Sequence, residues 1–189
     1  MKNAAIFVDR DNTIIHDDGY MSSPEQIHLL PGAKKALHEA IKYFRLYMVT
    51  NQSGIGRGYY TMEDAQACNR RLLELLELPP PEFHGICIAP ETPEQPQIYR
   101  KPSPKYILET IVKDNLDPGL CFIIGDKISD LESGINAGIS PILVGEGINA
   151  PNEDASRFAA ERKINVRENL YAAVQLCVEK LTLKRHNNY

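Results

Sequence analysis

Short apolar runs alternate with segments of helical periodicity along most of the chain, and this alternation restricts the fold more than any other feature. Five runs have the length and composition of buried strands: 4–8, 46–49, 85–89, 120–124 and 142–144. Five segments space their apolar residues as one face of a helix does: 31–44, 61–78, 103–115, 129–137 and 169–183. Strands joined through helices form a parallel sheet that is covered on both faces. The sequence therefore predicts an α/β fold with a doubly wound, Rossmann-like parallel sheet in three α/β/α layers.

The spacing of these elements leaves little room for a second domain. The chain has 189 residues, which is an ordinary size for one domain. Between the polar segments 7–13 and 49–58 there is room for one helix and its approaches. Between 49–58 and 99–102 there is one helix, one strand and a proline-rich loop, and the stretch 79–104 holds eight of the thirteen prolines. Neither gap accommodates an inserted domain of ordinary size. We therefore expect a single domain over 1–189, without a separate cap domain.

The charge and hydropathy pattern excludes several classes of partner. There are 25 acidic and 21 basic side chains, a balance that does not suit a polyanion-binding surface. The apolar run at 4–8 is too short for a signal peptide, and no run approaches the roughly 18 apolar residues of a membrane span. The four cysteines form no Cys-x-x-Cys pair, which is typical of reduced thiols. We expect a cytoplasmic protein with a small-molecule partner and no nucleic-acid or membrane partner. It is expected to be a monomer, with a weak dimer as the alternative.

Polar side chains follow the predicted strands at the end where open parallel sheets bind ligands. Asp9 and Asp11 come directly after the first strand, Thr50 after the second and Asp126 after the fourth, and Lys101 lies in the proline-rich loop. Such a set suits phosphoryl transfer. Asp9 and Asp126 are suited to hold Mg²⁺, and Asp9 also to attack phosphorus. Asp11 is suited to protonate the leaving oxygen and then to activate water. Thr50 and Lys101 would contact the phosphoryl oxygens.

Four ordered segments resemble the four motifs of the haloacid dehalogenase superfamily of phosphatases. They are Phe7–Thr13 (FVDRDNT), Val49–Gly58 (VTNQSGIGRG), Tyr99–Pro102 (YRKP) and Ile124–Asp130 (IGDKISD). The resemblance extends over about 4–180 and is closest to the D-glycero-D-manno-heptose 1,7-bisphosphate 7-phosphatases, whose relatives are the histidinol-phosphate phosphatases. It implies a Mg²⁺-dependent phosphomonoesterase that works through an aspartyl-phosphate intermediate.

The resemblance also implies a role for each matching position. Asp9 resembles the nucleophile and a Mg²⁺ ligand, and Asp11 resembles the general acid and base, whose backbone carbonyl also binds the metal. Asp126 resembles the Mg²⁺ ligand of the fourth motif. Thr50 and Lys101 resemble the groups that stabilise the phosphoryl oxygens. The positions implied to contact the substrate are Asp17, Asp18, Gly19, Tyr20, Asn51, Gln52, Ser53, Arg100 and Lys127.

The sequence departs from the family pattern in two places. Asn12 stands where this branch usually has Gly, and Asn tolerates the left-handed conformation better than most residues. The branch usually binds a structural Zn²⁺ through Cys-x-His and Cys-x-Cys just before the third motif. The matching positions are Ala89, Glu91, Gln97 and Tyr99, none of which is a thiolate or imidazole ligand. We therefore expect Mg²⁺ as the cofactor and no zinc.

Three alternatives remain open at this point. In a histidinol-phosphate phosphatase, acidic residues such as Asp17, Asp18 and Glu91 would face the amine of the substrate. In a phospho-receiver domain the phosphorylated Asp should end a middle strand, whereas here the paired acids end the first. A phosphosugar-binding domain without catalysis would not need a nucleophile. The resemblance also leaves open whether the product supplies lipopolysaccharide precursors, another surface glycan or a nucleotide-activated heptose.

Overall fold

All strands of the described chain belong to one parallel sheet. The computed structural model describes residues 3–145 and 151–186, so residues 1–2, 146–150 and 187–189 of the predicted domain lie outside the described residues. The strands are β1 (Ala5–Val8), β2 (Arg45–Asn51), β3 (Gly85–Ala89), β4 (Cys121–Gly125), β5 (Ser140–Val144) and β6 (Asn165–Arg167). They lie in the order β3-β2-β1-β4-β5-β6, and every pairing is parallel. This is a doubly wound order, so the predicted fold class is confirmed.

The helices follow the local signals in the sequence. They are α1 (Ala33–Ala40), α2 (Ser53–Gly56), α3 (Met62–Leu76), α4 (Lys105–Lys113), α5 (Ile128–Ala137), α6 (Glu153–Glu161) and α7 (Leu170–His186). At the start of α3 the Thr61 hydroxyl accepts a hydrogen bond from the Asp64 backbone N–H (3.2 Å), and the Asp64 carboxylate accepts one from the Thr61 N–H (2.8 Å). This capping box satisfies two backbone donors of the first turn. α5 ends at Ala137 and is capped by Gly138, which adopts a left-handed φ of 71°.

Helices cover both faces of the sheet and bury its central strands. Ile6 and Val8 of β1 pack with α1, α3 and α7 on one face. Phe7, which points to the opposite face, packs in a cluster with side chains of α4 and α5. Ala155 of α6 joins Leu143 of β5 on that second face. Because β1 is covered on both faces, all four of its residues are apolar and buried.

Three elements differ from the expectation. The sequence indicates a loop at 52–58, but residues 53–56 form the one-turn helix α2 in spite of Gly54 and Gly56. α6 begins at an Asn152 cap and has a narrow apolar face in a mostly polar segment. β6 has three residues, and Val166 at its centre is exposed. These elements lack the long apolar periodicity on which the expectations rest.

The segments before and after β2 hold no inserted domain. Residues 9–44 contain one 3₁₀ turn (Pro24–Gln26) and α1, and residues 52–84 contain α2 and α3. Within the described part of the chain, no helix is long and apolar enough to cross a membrane. The sheet edge above the strand ends is bordered by loops, by the short helix α2 and by the start of α5.

Candidate active site

The predicted site residues meet where the winding of the sheet reverses, between the neighbouring strands β1 and β4. Asp9 directly follows β1, and its backbone N–H donates to the Ile124 carbonyl of β4 (2.9 Å). Asp126 directly follows β4. Thr50 and Asn51 are the last residues of β2, which lies beside β1 on its other side. Parallel pairing therefore places three of the four motifs at one edge of the sheet.

Lys101 reaches the same place from the loop between β3 and α4. Its ammonium lies 2.6 Å from Asp9 Oδ1 and 2.5 Å from Asp130 Oδ1, and it donates to the Val49 carbonyl (2.8 Å). The side chain is almost fully buried. Burial by itself would lower the pKa of Lys101, but the carboxylates of Asp130 and Asp9 raise that pKa above its ordinary value. Lys101 therefore stays a fixed positive charge beside the Asp9 carboxylate.

Three carboxylates cluster around this ammonium. Oxygen atoms of Asp9, Asp126 and Asp130 all lie within 4.8 Å of one another. Burial, reinforced by the negative charge of Asp9, raises the pKa of Asp126 to about 8. Burial also raises the pKa of Asp9, against the opposing positive charge of Lys101. Oδ1 of Asp126 is buried without a hydrogen-bond partner. A hard divalent cation would satisfy this oxygen and offset the repulsion, so the residues fit Mg²⁺.

Asp130 is a member of the site that the sequence motif alone does not establish. It is fully buried at the third position of α5, where its Oδ2 accepts a hydrogen bond from the Lys127 backbone N–H (3.0 Å). A Cβ atom at Gly125 would lie 2.3 Å from the Asp130 carboxyl carbon, so a glycine is required there. Asp130 thus caps α5 and neutralises Lys101 at the same time.

The Asp11 carboxylate is held by side chains on both of its oxygens. Arg10, which is buried, donates from Nε and Nη2 to Asp11 Oδ1 (3.0 and 2.9 Å), and its Nη1 donates to Asn69 Oδ1 (3.0 Å). Thr50 Oγ1 and Gln52 Nε2 donate to Asp11 Oδ2 (3.0 and 2.9 Å). Thr50 therefore contacts Asp11 in this structure. Arg10 and Asn69 are additions to the sequence-based set.

A cleft of about 330 Å³ opens beside these groups. Of the positions predicted to contact the substrate, eight line it: Asp17, Gly19, Tyr20, Asn51, Gln52, Ser53, Arg100 and Lys127. Asp18 is not among the lining residues, and its carboxylate lies 3.7 Å from the ring of His16. Asn51 lines the cleft, but its amide binds the backbone of Lys101. Arg100 and Lys127 give the cleft positive charge.

The rim of the cleft is a tight turn that ends in an aromatic pair. The Gly19 backbone N–H donates to Asp17 Oδ1 (2.9 Å), and Gly19 and Tyr20 both adopt left-handed φ angles of 82° and 46°. The Tyr20 ring packs edge-to-face on Tyr59, with ring centroids 4.8 Å apart. Both rings are exposed, so this pair joins two loops at the mouth of the cleft.

The loop that carries the family's zinc positions is closed here by a carboxylate. Glu91 Oε1 accepts hydrogen bonds from the backbone N–H groups of Ile98 (3.1 Å) and Tyr99 (2.9 Å). The Arg100 guanidinium donates to the Glu91 carbonyl (3.1 Å). Ala89, the first of the four positions, belongs to β3. The side chain of Glu91 therefore joins the two ends of the 91–99 loop.

Comparison with known proteins gives relatives that share most of this chain. A family model described as HAD-hydrolase-like matches residues 98–173. The chain is 34% identical over 176 residues to a D-glycero-alpha-D-manno-heptose-1,7-bisphosphate 7-phosphatase of Burkholderia mallei, an alignment that covers 88% of this chain and 90% of the relative. It is 37% identical over 144 residues to a D-glycero-beta-D-manno-heptose-1,7-bisphosphate 7-phosphatase of Helicobacter pylori, covering 75% and 83% of the two chains.

A solved structure shares the fold over nearly its whole length. It is the D,D-heptose 1,7-bisphosphate phosphatase of B. bronchiseptica, crystallised with magnesium and phosphate. The two structures superpose with a TM-score of 0.81 over 94% of this chain and 99% of the other, at 24% sequence identity. At this identity the likeness establishes the fold.

Proposed function

We propose a specific reaction for this chain, which belongs to the heptose-bisphosphate 7-phosphatase family of haloacid dehalogenase-like phosphatases. As a member of that family it is a phosphoric monoester hydrolase. The proposed substrate is D-glycero-D-manno-heptose 1,7-bisphosphate, from which the 7-phosphate is removed with Mg²⁺ as cofactor. The observation that carries this proposal is the buried Asp9 carboxylate, 2.6 Å from the Lys101 ammonium and clustered with Asp126 at the switch point of the sheet.

The charge of the cleft supports a substrate with a second phosphate. Arg100 and Lys127 line it. The Lys127 ammonium lies 4.0 Å from Asp126 Oδ2, beside the carboxylate cluster, whereas Arg100, which donates to the Glu91 carbonyl, suits an anionic group away from the reacting phosphorus. A bisphosphate offers such a group. The amine of histidinol phosphate would be repelled by the same two cations. Of the acidic residues that would face this amine, Asp17 lines the cleft, and its Oδ1 accepts the Gly19 N–H, so the two cations support the heptose substrate.

In the proposed first step, a carboxylate oxygen of Asp9 attacks the phosphorus and the bond between phosphorus and the sugar oxygen breaks. Asp11 gives a proton to the departing sugar oxygen, so the sugar leaves as a neutral alcohol. Lys101 keeps its charge throughout and stabilises the negative oxygens of the transferred phosphoryl group. The product of this step is an aspartyl phosphate on Asp9.

In the second step a water molecule attacks the aspartyl phosphate. Asp11 takes the proton from this water, and Asp9 departs as a carboxylate while inorganic phosphate is released. The side chains of Asp9 and Asp126, with the backbone carbonyl of Asp11, would hold Mg²⁺. When bound, the ion would supply positive charge to the phosphoryl oxygens.

We also propose that the chain is a single domain over 1–189 that acts as a monomer in the cytoplasm, without nucleic-acid or membrane partners. The excess of 25 acidic over 21 basic side chains supports the absence of polyanionic partners. The proposed substrate places the reaction in carbohydrate metabolism, with lipopolysaccharide precursors as one destination of the product.

The test is phosphate release from a panel of substrates with Mg²⁺ or with EDTA. The panel contains both anomers of heptose 1,7-bisphosphate, histidinol phosphate and simple sugar phosphates, and Asp9→Asn is measured beside the wild type. We expect Mg²⁺-dependent turnover of one heptose bisphosphate, which Asp9→Asn abolishes. A preference for histidinol phosphate would overturn the substrate, and a folded protein that turns over none of the panel would overturn the enzyme assignment.

A further inference from the structure

We propose that Tyr60 is a positioning residue, which orients the Asp11 carboxylate through the side chain of Gln52. The Tyr60 hydroxyl donates a hydrogen bond to Gln52 Oε1 (2.6 Å), and Gln52 Nε2 donates to Asp11 Oδ2 (2.9 Å). Gln52 Nε2 also donates to Thr50 Oγ1 (2.7 Å). The inference rests on the proposed role of Asp11 as general acid, and it assigns Gln52 and Tyr60, which line the cleft together with Asp11, to the support of that role.

The chemistry of the groups fixes the direction of this chain of hydrogen bonds. A glutamine amide has one end that accepts and one that donates, whereas the unprotonated form of Asp11, which takes the proton from water in the second step, only accepts. Gln52 must therefore turn its nitrogen toward Asp11 and its oxygen away. That oxygen is buried and needs a donor, which the Tyr60 hydroxyl supplies. Burial raises the pKa of Tyr60 to about 12, so the hydroxyl keeps its proton at neutral pH.

Packing of the ring, in addition to the hydrogen bond of the hydroxyl, holds Tyr60 in place. Its ring lies against Gly54 of α2, where a Cβ atom would come within 2.1 Å of the ring carbon Cε1. The neighbouring Tyr59 backbone N–H donates to the Gly54 carbonyl (2.8 Å). Since only glycine allows this approach, Gly54 lets the Tyr60 ring pack directly against α2. The 52–60 segment thus sets the position of the phenol.

Loss of the Tyr60 hydroxyl would leave the Gln52 oxygen buried and without a donor. The amide would then turn or shift, and Asp11 Oδ2 would lose one of its two side-chain donors. A misplaced Asp11 transfers its proton less well to the leaving oxygen. The damage should therefore grow with the basicity of the leaving group, because a stable phenolate leaves without help and a sugar alkoxide does not.

The experiment measures kcat/KM for Tyr60→Phe with phosphate esters of graded leaving groups. The series runs from 4-nitrophenyl phosphate through phenyl phosphate to an alkyl phosphate such as glycerol phosphate. Tyr43→Phe is the control, since Tyr43 is partly buried between α1 and the start of β2, at the opposite end of the sheet from the cleft. We expect Tyr60→Phe to lose about tenfold on the alkyl ester and less than about twofold on 4-nitrophenyl phosphate. Tyr43→Phe should follow the wild type throughout.

Asp11→Asn, measured on the same series, separates this inference from the proposed function. If Asp11→Asn loses more on poor leaving groups and Tyr60→Phe loses equally on all esters, or on none, the role of Tyr60 is overturned and that of Asp11 stands. If Asp11→Asn itself shows no dependence on the leaving group, the general-acid assignment fails, and the inference fails with it. Melting temperatures of the variants report any loss of folding.

Discussion

The side-chain amide of Asn51 binds the backbone of Lys101 with both of its ends. Its Oδ1 accepts a hydrogen bond from the Lys101 N–H (3.0 Å), and its Nδ2 donates to the Lys101 carbonyl (3.1 Å). The pair joins the end of β2 to the loop that follows β3, and so it fixes the backbone from which the buried ammonium extends. The family resemblance assigns Asn51 to the substrate, but in this structure both ends of its amide are engaged by Lys101.

We expect Asn51→Leu, which has a similar volume and neither hydrogen bond, to lower kcat about tenfold or more on every phosphate ester. The reason is that a small displacement of Lys101 weakens the charge stabilisation that all substrates share. The measurement is kcat with heptose bisphosphate and with 4-nitrophenyl phosphate. Ser53→Ala, another change in the cleft lining, is the comparison and should affect only the sugar substrate. A loss confined to heptose bisphosphate in Asn51→Leu would mean that Asn51 acts on the substrate instead.

Lys101→Met should cost stability as well as activity. The substitution removes the cation that faces Asp9 and Asp130, and leaves two buried carboxylates unpaired. Breaking a buried ion pair in this way lowers the free energy of unfolding by about 3–5 kcal/mol. Denaturant unfolding at neutral pH measures this loss. Lys105→Met removes an exposed lysine from a pair with Glu109 and should change stability by less than about 1 kcal/mol. Similar losses in the two variants would contradict the role given to Lys101.

Without metal, the carboxylate cluster should make stability fall as pH rises. The pKa of Asp126 is raised from an ordinary 3.8 to about 8, so the fold favours its protonated form. Its stabilising effect is complete below about pH 4 and is lost as pH rises toward 8. In EDTA, the melting temperature of wild type relative to Asp126→Asn should therefore decrease from pH 5 to pH 8, by several degrees. Mg²⁺ binds the ionised form, so in its presence the difference should reverse. A difference that stays constant with pH in EDTA would contradict this account.

The sequence predicted those parts of the fold and site that depend on local patterns. The β1 run and the helical spacing of apolar residues in 61–78 are local, and both elements are present where expected. β6 is short, and its central Val166 is exposed, so its pairing with β5 depends on tertiary context that no periodicity encodes. Asp9 and Asp126 were expected after two strand ends. They lie together there because the carboxyl ends of parallel strands meet at one edge of the sheet.

The side-chain contacts that support the site could not be predicted from the sequence, for a different reason. Arg10 and Asn69 are hydrogen-bonded although 59 positions separate them, and Tyr60 reaches Asp11 only through Gln52. No motif records such pairs. Asp130 illustrates the same limit, since an acid in the first turn of a helix is common without any partner such as Lys101.

Glu91→Ala should loosen the 91–99 loop and leave the rate of the chemical step nearly unchanged. The variant deprives the N–H groups of Ile98 and Tyr99 of their acceptor. Arg100 donates to the backbone carbonyl of Glu91, so it moves with the loosened loop. Lys101 should stay in place, because Asn51 and the buried carboxylates hold it independently. We expect KM for heptose bisphosphate to rise about five- to tenfold, the free energy of unfolding to fall by about 1–3 kcal/mol, and kcat with 4-nitrophenyl phosphate to change little. Glu94→Ala, on the same loop but exposed, should match the wild type.

Since the carboxylate of Glu91 closes the loop, a zinc chelator should leave the melting temperature of the wild type unchanged. A lower melting temperature with the chelator would mean that a metal also holds the loop closed.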